Sequence, residues 1–151
     1  MKKYVIASLI LGLTSLAVIP SFAQIRKIPS EVTEALKEKY PDAENISWKD
    51  KLTVFAASFE LNNEKYEARF NDKGEWKSTE KEISDSELPE EVKDGFEKSK
   101  YADWQQKFVY SIEMPNDEMQ YRILVAKNDF QKKNLLFNNE GKLLKDNITL
   151  K

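Results

Sequence analysis

The sequence predicts an α+β fold made of two tandem repeats, each with one helix packed on an antiparallel sheet of about four strands. A motif of the form apolar-Pro-x-Glu-Val occurs at residues 28–32 and again at 88–92. Apolar residues then alternate with polar ones, which is typical of half-buried antiparallel strands. The pattern Phe-Asn-Asx-x-Gly follows at 70–74 and at 137–141. Internal repetition of this kind indicates a duplicated unit.

The first 23 residues predict a secretory signal peptide. Lys2 and Lys3 precede an apolar run over residues 5–19, and the small residues Ser21 and Ala23 favour cleavage between residues 23 and 24. A membrane anchor is the alternative, but the run is shorter than the roughly 20 residues that a spanning helix needs. We therefore expect a periplasmic or secreted protein without stable membrane insertion after cleavage. The first repeat then covers 24–84 and the second 85–151.

Each repeat is predicted to open with a helix. Pro29 and Pro89 suit the first helical position, where a missing N–H group costs nothing. An apolar stripe follows at helical spacing in the first repeat, at Val32, Ala35, Leu36 and Tyr40. Gly95 stands inside the second helix, where glycine costs about 1 kcal/mol relative to alanine. We therefore expect close packing of that turn against a strand.

Four strands are predicted after each helix. Apolar and polar residues alternate with a period of 2, and turn residues separate these segments. In the first repeat the predicted strands are 44–49, 52–61, 64–71 and 75–82. In the second repeat they are 104–114, 117–127, 131–138 and 142–149. The pair Asn62-Asn63 predicts a two-residue hairpin turn, because asparagine tolerates the left-handed backbone. Pro115-Asn116 predicts the corresponding turn of the second repeat.

The two Asn-Asx-x-Gly segments are open to two interpretations. In a turn, Gly74 and Gly141 take the positive φ angle and the asparagine side chain caps its own backbone. A calcium loop would need oxygen ligands at alternate positions over about twelve residues. Lys73 stands among the few candidate ligands. The turn is therefore the favoured interpretation, and no metal site is predicted.

The composition excludes several classes of function. The chain has no Cys and no His, which removes Ser-His-Asp and Cys-His nucleophiles, His-ligated zinc and His-ligated haem. The acidic residues 80, 82, 85 and 87 are interpreted as a solvated connector between the repeats. Removal of the signal takes the net charge from −2 to −4 without any basic cluster, which argues against nucleic acid. No catalytic residue, cofactor or metal is predicted.

Large apolar side chains raise two further alternatives. Trp48, Trp76 and Trp104 could form a platform for a ligand, but core packing is favoured because aromatics dominate small cores. In the strand at 117–127, Leu124 and Ala126 make the second face apolar as well, and a strand apolar on both sides is covered on both sides. That outer face either packs on the other repeat, which is favoured, or contacts a partner.

The predicted function is a non-enzymatic binding or inhibitory module that presents a sheet face, or a strand edge, to an exported protein or peptide. Five residues are proposed as partner contacts: Glu67, Arg69, Trp76, Arg122 and Leu124. The alternative is a small-ligand carrier, or an envelope enzyme that uses carboxylates in the cleft between the repeats. A deep pocket with converging acids would favour the alternative, and a shallow surface of mixed polarity would favour the protein binder.

Several motifs resemble one family of exported bacterial proteins. They are the two apolar-Pro-x-x-Val helix starts, Tyr40-Pro41-Asp42-Ala43 followed by Trp48, and the Phe-Asn-x-x-Gly turn in each repeat. Together these resemble the PepSY-like, β-lactamase-inhibitor-like proteins. The resemblance implies the fold predicted above, a periplasmic or secreted location, and binding or inhibition of another exported protein. The second repeat departs from the pattern, since Tyr101 is followed by Ala102 instead of proline.

Overall fold

The computed structural model describes residues 26–148, so the predicted signal peptide and its cleavage site lie outside the described residues. This part of the chain forms two α-helices and eight strands: α1 Ser30–Lys39, β1 Glu44–Asp50, β2 Phe55–Leu61, β3 Glu64–Phe70, β4 Trp76–Ile83, α2 Glu90–Glu97, β5 Gln105–Glu113, β6 Met119–Ala126, β7 Lys132–Asn138 and β8 Leu143–Ile148. Short 3-10 helices span Asp85–Glu87 and Pro115–Asp117. The strands follow the predicted ones to within a few residues.

The eight strands form one antiparallel sheet in chain order, from β1 to β8. β4 pairs with β5, with Thr79 opposite Glu113 and Ile83 opposite Val109. The predicted fold class, two tandem repeats that each pack one helix on an antiparallel sheet of about four strands, is therefore wrong, since all eight strands belong to one sheet. Periodicity predicts which side chains share a face, but it does not specify which strand edges pair. The predicted domain division after residue 84 stays a prediction.

Both helices pack on the same face of the sheet, here called the helix face. Ala68, beneath α1, lies opposite Thr79, whereas Val109, beneath α2, lies opposite Ile83. Thr79 and Ile83 are four residues apart on β4, and side chains four apart in a strand point to the same side. The helices therefore lie side by side above one continuous sheet.

The core consists of two apolar clusters under the helices. Val32 and Leu36 of α1 pack on a first set of strand side chains, Phe55, Ala57, Phe59, Ala68 and Phe70. Val92 and Phe96 of α2 pack on a second set that includes Val109, Ile123, Val125, Leu135 and Phe137. Most of these side chains are completely buried. Burial of each Val, Leu, Ile or Phe side chain contributes about 1.5–3 kcal/mol, so the helix face supplies most of the favourable hydrophobic free energy.

The two glycine turns join β3 to β4 and β7 to β8, and each contacts the helix above it. Gly74 and Gly141 have φ angles of +80° and +77°, and the Oδ1 atom of Asn71 accepts hydrogen bonds from two backbone N–H groups of its own turn. Asn138 does the same in the second turn. These carbonyl oxygens therefore hold the backbone, as the turn interpretation predicts. A Cβ atom on Gly141 would lie 1.9 Å from the carbonyl oxygen of Glu91 in α2.

The helical Gly95 allows a very close approach of α2 to the sheet. A Cβ atom at this position would lie 2.0 Å from the carbonyl oxygen of Gly141. The expected close packing is thus observed, but the neighbour is the β7–β8 turn and not a strand. Pro29 and Pro89 precede the first helical residue as N-caps, one position earlier than predicted. Sequence patterns fix such boundaries only to within a residue or two.

Candidate functional site

The opposite side of the sheet, here called the open face, carries neither of the two α-helices found in residues 26–148. Its side chains are those that alternate with the core residues along each strand, and in the centre of the sheet they are Glu67, Arg69, Ser78, Glu80, Phe108, Tyr110, Ile112, Arg122, Leu124, Asn134, Leu136 and Lys145. Several of these are large and partly solvent-exposed. The open face is therefore the largest part of the sheet available to a partner.

An arginine on β6 binds a carboxylate on β4 across the intervening strand. Arg122 donates from Nη2 to Oε1 of Glu80 at 2.5 Å and from Nε to Oε2 at 3.0 Å. Its Nη1 atom donates to Oδ1 of Asn134 at 2.8 Å. The guanidinium carbon also lies 3.8 Å from the centre of the Tyr110 ring. The hydrogen bonds to Glu80 and Asn134 and the contact with the Tyr110 ring together fix the position and orientation of the guanidinium group.

A second arginine completes the charge balance. Glu67 and Glu80 are directly opposite on β3 and β4, where like charges repel each other. Arg69 offsets this repulsion, because its Nη2 atom is 2.8 Å from Oε1 of Glu67 and 3.8 Å from Oε2 of Glu80. Two arginines therefore balance two glutamates. The side chains of Glu80 and Arg122 are only 10% and 23% exposed, so this pair is more strongly coupled than an ordinary surface ion pair.

Apolar side chains border the ion network on the β5–β7 side. Phe108 is 48% exposed and lies opposite Leu124, while Leu136 lies opposite Arg122. Leu136, but neither Phe108 nor Leu124, also lines a shallow depression of about 500 Å³ at the network. Its lining residues are Arg69, Ser78, Glu80, Ile112, Met114, Gln120, Arg122, Asn134, Leu136, Lys145 and Asn147. The open face therefore places partly exposed apolar side chains beside two arginines.

Four of the five residues predicted as partner contacts lie on the open face: Glu67, Arg69, Arg122 and Leu124. Trp76 lies on the helix face, where its Nε1 atom donates to Oγ1 of Thr79 and the Nζ atom of Lys39 lies above the ring. A bulge explains the difference. Trp76 is opposite Phe70 and Ser78 is opposite Arg69, so the inserted Lys77 breaks the alternation.

The favoured expectation that Leu124 packs on the other half of the chain is wrong. The two halves of the sheet lie edge to edge, so neither half can cover the outer face of the other. The interpretation of the acidic stretch as a solvated connector is also wrong in part. Glu80 lies inside β4 and is only 9% exposed. The signal that could have revealed it is the strand predicted at 75–82, which already contains residue 80.

Several ionisable side chains of the open face contact one another. Burial raises the pKa of Tyr110, partly offset by the positive charge of Arg122, so the phenol stays protonated at neutral pH. The carboxylates of Glu67 and Glu80 are engaged by arginines. Across residues 26–148, no group of three or more acidic side chains is arranged to hold a metal ion.

A family model identifies the chain. Residues 53–145, more than half of the sequence, match the family described as "Putative beta-lactamase-inhibitor-like, PepSY-like". The chain belongs to this family. The resemblance inferred from the sequence motifs is thereby confirmed. No curated protein matches the chain.

Solved structures of Bacteroides proteins share this PepSY-like fold. A "putative periplasmic" protein of Bacteroides eggerthii is 26% identical, with a TM-score of 0.72 over 82% of this chain and 90% of that one. A DUF2874 family protein of Bacteroides ovatus is 27% identical, with a TM-score of 0.71 over 82% and 89%. A BLIP-like protein of Bacteroides fragilis is 26% identical, with a TM-score of 0.68 over 83% and 89%.

These similarities confirm the predicted periplasmic or secreted location, because the Bacteroides eggerthii relative is itself a "putative periplasmic" protein. Neither α1 nor α2, of ten and eight residues, has the length or the apolar character to span a bilayer, and the described residues contain no other α-helix.

Proposed function

We propose that this PepSY-like protein is a non-enzymatic binding module whose open face contacts an exported protein or peptide. One observation carries the proposal. The open face combines a fixed arginine–glutamate network with partly exposed apolar side chains, and no described helix lies above it. Interfaces concentrate their binding free energy in such clusters of aromatic and arginine side chains.

The shape of the surface favours a macromolecular partner. The depression beside Arg122 is shallow and mixed in polarity, and its lining residues come from strands β3 to β8. The rival enzyme or carrier required a cleft between the repeats with converging carboxylates. β4 and β5 pair from Thr79 opposite Glu113 to Ile83 opposite Val109. The open depression of about 470 Å³ beyond this pairing has Glu82 and Asp85 as its acidic lining residues, beside Lys107. A broad sheet surface can contact many residues of a partner, whereas it encloses little of a small molecule.

The charge network suits recognition because its geometry is set before the partner arrives. Arg122 is held by Glu80, Asn134 and the Tyr110 ring, so it loses little conformational entropy on binding. Its surroundings, Phe108 and Leu124, can bury apolar surface of the partner. The name of the family makes β-lactamases the first candidates to test.

Capture of exported proteins by the immobilised chain from residue 24 onward tests the proposal. Leu124→Asp places a charge in the centre of the open face and is expected to abolish capture of the partner without loss of cooperative unfolding. Leu52→Asp is the matched control, because Leu52 is 85% exposed in the β1–β2 turn, away from the open face. β-Lactamase activity with excess chain is measured in parallel.

Retention of the same partner by Leu124→Asp, together with retention by Phe108→Ala, would contradict the proposed binding face. Loss of the partner from the Leu52→Asp control would instead place the contact at the β1–β2 end of the sheet. The circular dichroism spectra of all three variants are first compared with that of the unsubstituted protein, so that a binding defect is not confused with unfolding.

A further inference from the structure

A second surface lies at the other end of the sheet from the β1–β2 turn, beside the β6–β7 hairpin. Here a cleft of about 360 Å³ is lined by Trp104, Lys127, Phe130, Gln131, Lys132 and Lys133. None of these residues belongs to the ion network of the open face. We propose that this cleft binds a small organic anion with a flat apolar body, such as an aromatic carboxylate.

One wall of the cleft is rigid. Trp104 packs against the core cluster under α2, and its ring meets the ring of Tyr101 edge to face at 5.2 Å between centroids. The backbone N–H group of Trp104 also donates to the carbonyl oxygen of Tyr101 at 2.9 Å. The indole is therefore held by the core cluster and by the Tyr101 ring, while part of it faces the cleft. A fixed aromatic surface of this kind suits a planar ring.

The other wall is a fully exposed aromatic side chain on a well-defined turn. Phe130 is 96% exposed, the largest exposed fraction among the large apolar side chains of residues 26–148. Its backbone is nevertheless fixed, because Oδ1 of Asn128 accepts hydrogen bonds from the N–H groups of Phe130 at 3.0 Å and Gln131 at 2.8 Å. The turn thus projects Phe130 outward, where a ligand ring between it and Trp104 would remove apolar surface from water.

The lysines give the cleft its charge. Lys127, Lys132 and Lys133 form no ion pair with any other described residue, although ten ion pairs exist elsewhere in that part of the chain. The cleft lining contains no carboxylate, because Asp103 and Asp129 line an adjoining depression instead. Lys133 also lies over the Tyr101 ring and interacts with Asp146, and Lys127 and Lys132 border the adjoining depression as well. Three lysines and no carboxylate in the lining of the cleft itself favour an anionic ligand over a neutral or cationic one.

The size of the cleft limits the ligand. Its volume lies near the lower end of the range of about 300–1,000 Å³ that small-molecule pockets occupy. A ligand of one or two fused rings with one acidic group fits this description, since its ring can stack between Trp104 and Phe130 while the acid reaches the lysines. An anionic membrane surface shares this chemistry, and the experiment below separates the two.

The test is an NMR titration of the chain from residue 24 onward with 2-naphthoate and with its neutral analogue 2-naphthalenemethanol. We expect 2-naphthoate to shift the indole N–H of Trp104 and the backbone signals of residues 127–133. The neutral analogue should bind at least about tenfold more weakly, because it cannot pair with the lysines. Phe130→Ala and the double variant Lys132→Gln/Lys133→Gln should each weaken 2-naphthoate binding at least about threefold.

Matched controls lie at the opposite end of the sheet. Leu52→Ala removes an apolar side chain of similar exposure, and Lys49→Gln/Lys51→Gln removes two exposed charges. Both should leave the affinity unchanged. Equal affinities for the acid and the alcohol, or no shift at Trp104 with millimolar 2-naphthoate, would overturn the proposal. Binding to phosphatidylglycerol vesicles that depends on Phe130, without any 2-naphthoate shift, would overturn it in favour of a membrane surface.

Discussion

The two faces of the sheet use the same strands for different purposes. Ile123 and Leu124 are neighbours on β6, yet Ile123 is completely buried beneath α2 while Leu124 stays partly exposed beside the arginine network. On the helix face, apolar side chains fill the space under the helices. On the open face, charges are paired, and Phe108, Leu124 and Leu136 remain partly exposed.

This difference separates stability from recognition. The helix face buries large side chains such as Phe137 and Leu135, which exclude water and stabilise the fold. The open face holds partly desolvated ion pairs, which contribute little net stability but fix the geometry of their groups. Substitutions on the two faces should therefore have different consequences, even when the residue type and the strand are the same.

Removal of equivalent phenylalanines from the two faces should give the largest contrast. Phe137→Ala removes a completely buried ring and should lower the free energy of unfolding by about 3–5 kcal/mol. Phe108→Ala removes a ring that is already half exposed, so it should cost less than about 1 kcal/mol. Chemical denaturation of both variants measures the difference. Equal losses would mean that the open face is part of the core.

Substitution of the turn glycine beneath α2 should give the next largest effect. Gly141→Ala introduces a Cβ atom 1.9 Å from the Glu91 carbonyl oxygen at a positive φ angle, and should cost about 2–3 kcal/mol. Gly74→Ala is the natural control. It has a similar φ angle, but its Cβ atom would lie 2.6 Å from the Glu31 oxygen, so thermal melting should show a smaller loss. The reverse order would contradict the packing described for α2.

The ion network should show a moderate coupling. A double-mutant cycle with Glu80→Gln and Arg122→Met should give a coupling free energy of about 1–2 kcal/mol, since the pair is largely shielded from water. The exposed pair of Glu75 and Lys77 is the control and should couple by less than about 0.5 kcal/mol. Denaturant midpoints of the single and double variants supply both values. Equal couplings would remove the evidence for a preorganised centre.

The smallest predicted effect is the loss of stability at acidic pH when Asp50, the last residue of the edge strand β1, becomes protonated. Hydrogen bonds from Arg26 lower the pKa of Asp50 to about 2. A carboxylate with a lowered pKa stabilises the fold above its ordinary pKa, near 4, and this stabilisation is lost as the pH falls from about 4 to 2. NMR titration of the Asp50 carboxyl group should show this midpoint, and Arg26→Gln should raise it towards 3.8. An unchanged midpoint in Arg26→Gln would contradict the assigned cause.

Local patterns predicted the elements of the fold but not their assembly. The alternation of Tyr66, Ala68 and Phe70 with charged residues predicts both β3 and its buried face, because a strand has a period of 2. The pairing of β4 with β5 could not be predicted in this way. It joins residues about 30 positions apart, and no local pattern specifies which exposed edge another strand will meet.

For the candidate site, the sequence likewise predicted the face on which some residues lie, but not their contacts with distant residues. Arg69 and Arg122 could be placed on the outer face because they alternate with core residues. Trp76 was assigned to the wrong group because the bulge at Lys77 shifts the alternation, which the sequence does not reveal. Glu80 was missed since its partner, Arg122, is 42 residues away in the chain and becomes a neighbour only when β4 and β5 pair.

Cysteine labelling measures the difference between the two faces most directly, because the chain contains no cysteine of its own. Phe108 and Val109 are neighbours on β5 with exposed fractions of 48% and 6%. In the folded protein, a maleimide should label Phe108→Cys at least about 100-fold faster than Val109→Cys, since the buried thiol reacts only after the structure opens. Similar rates at the two positions would contradict an open face opposite the helices.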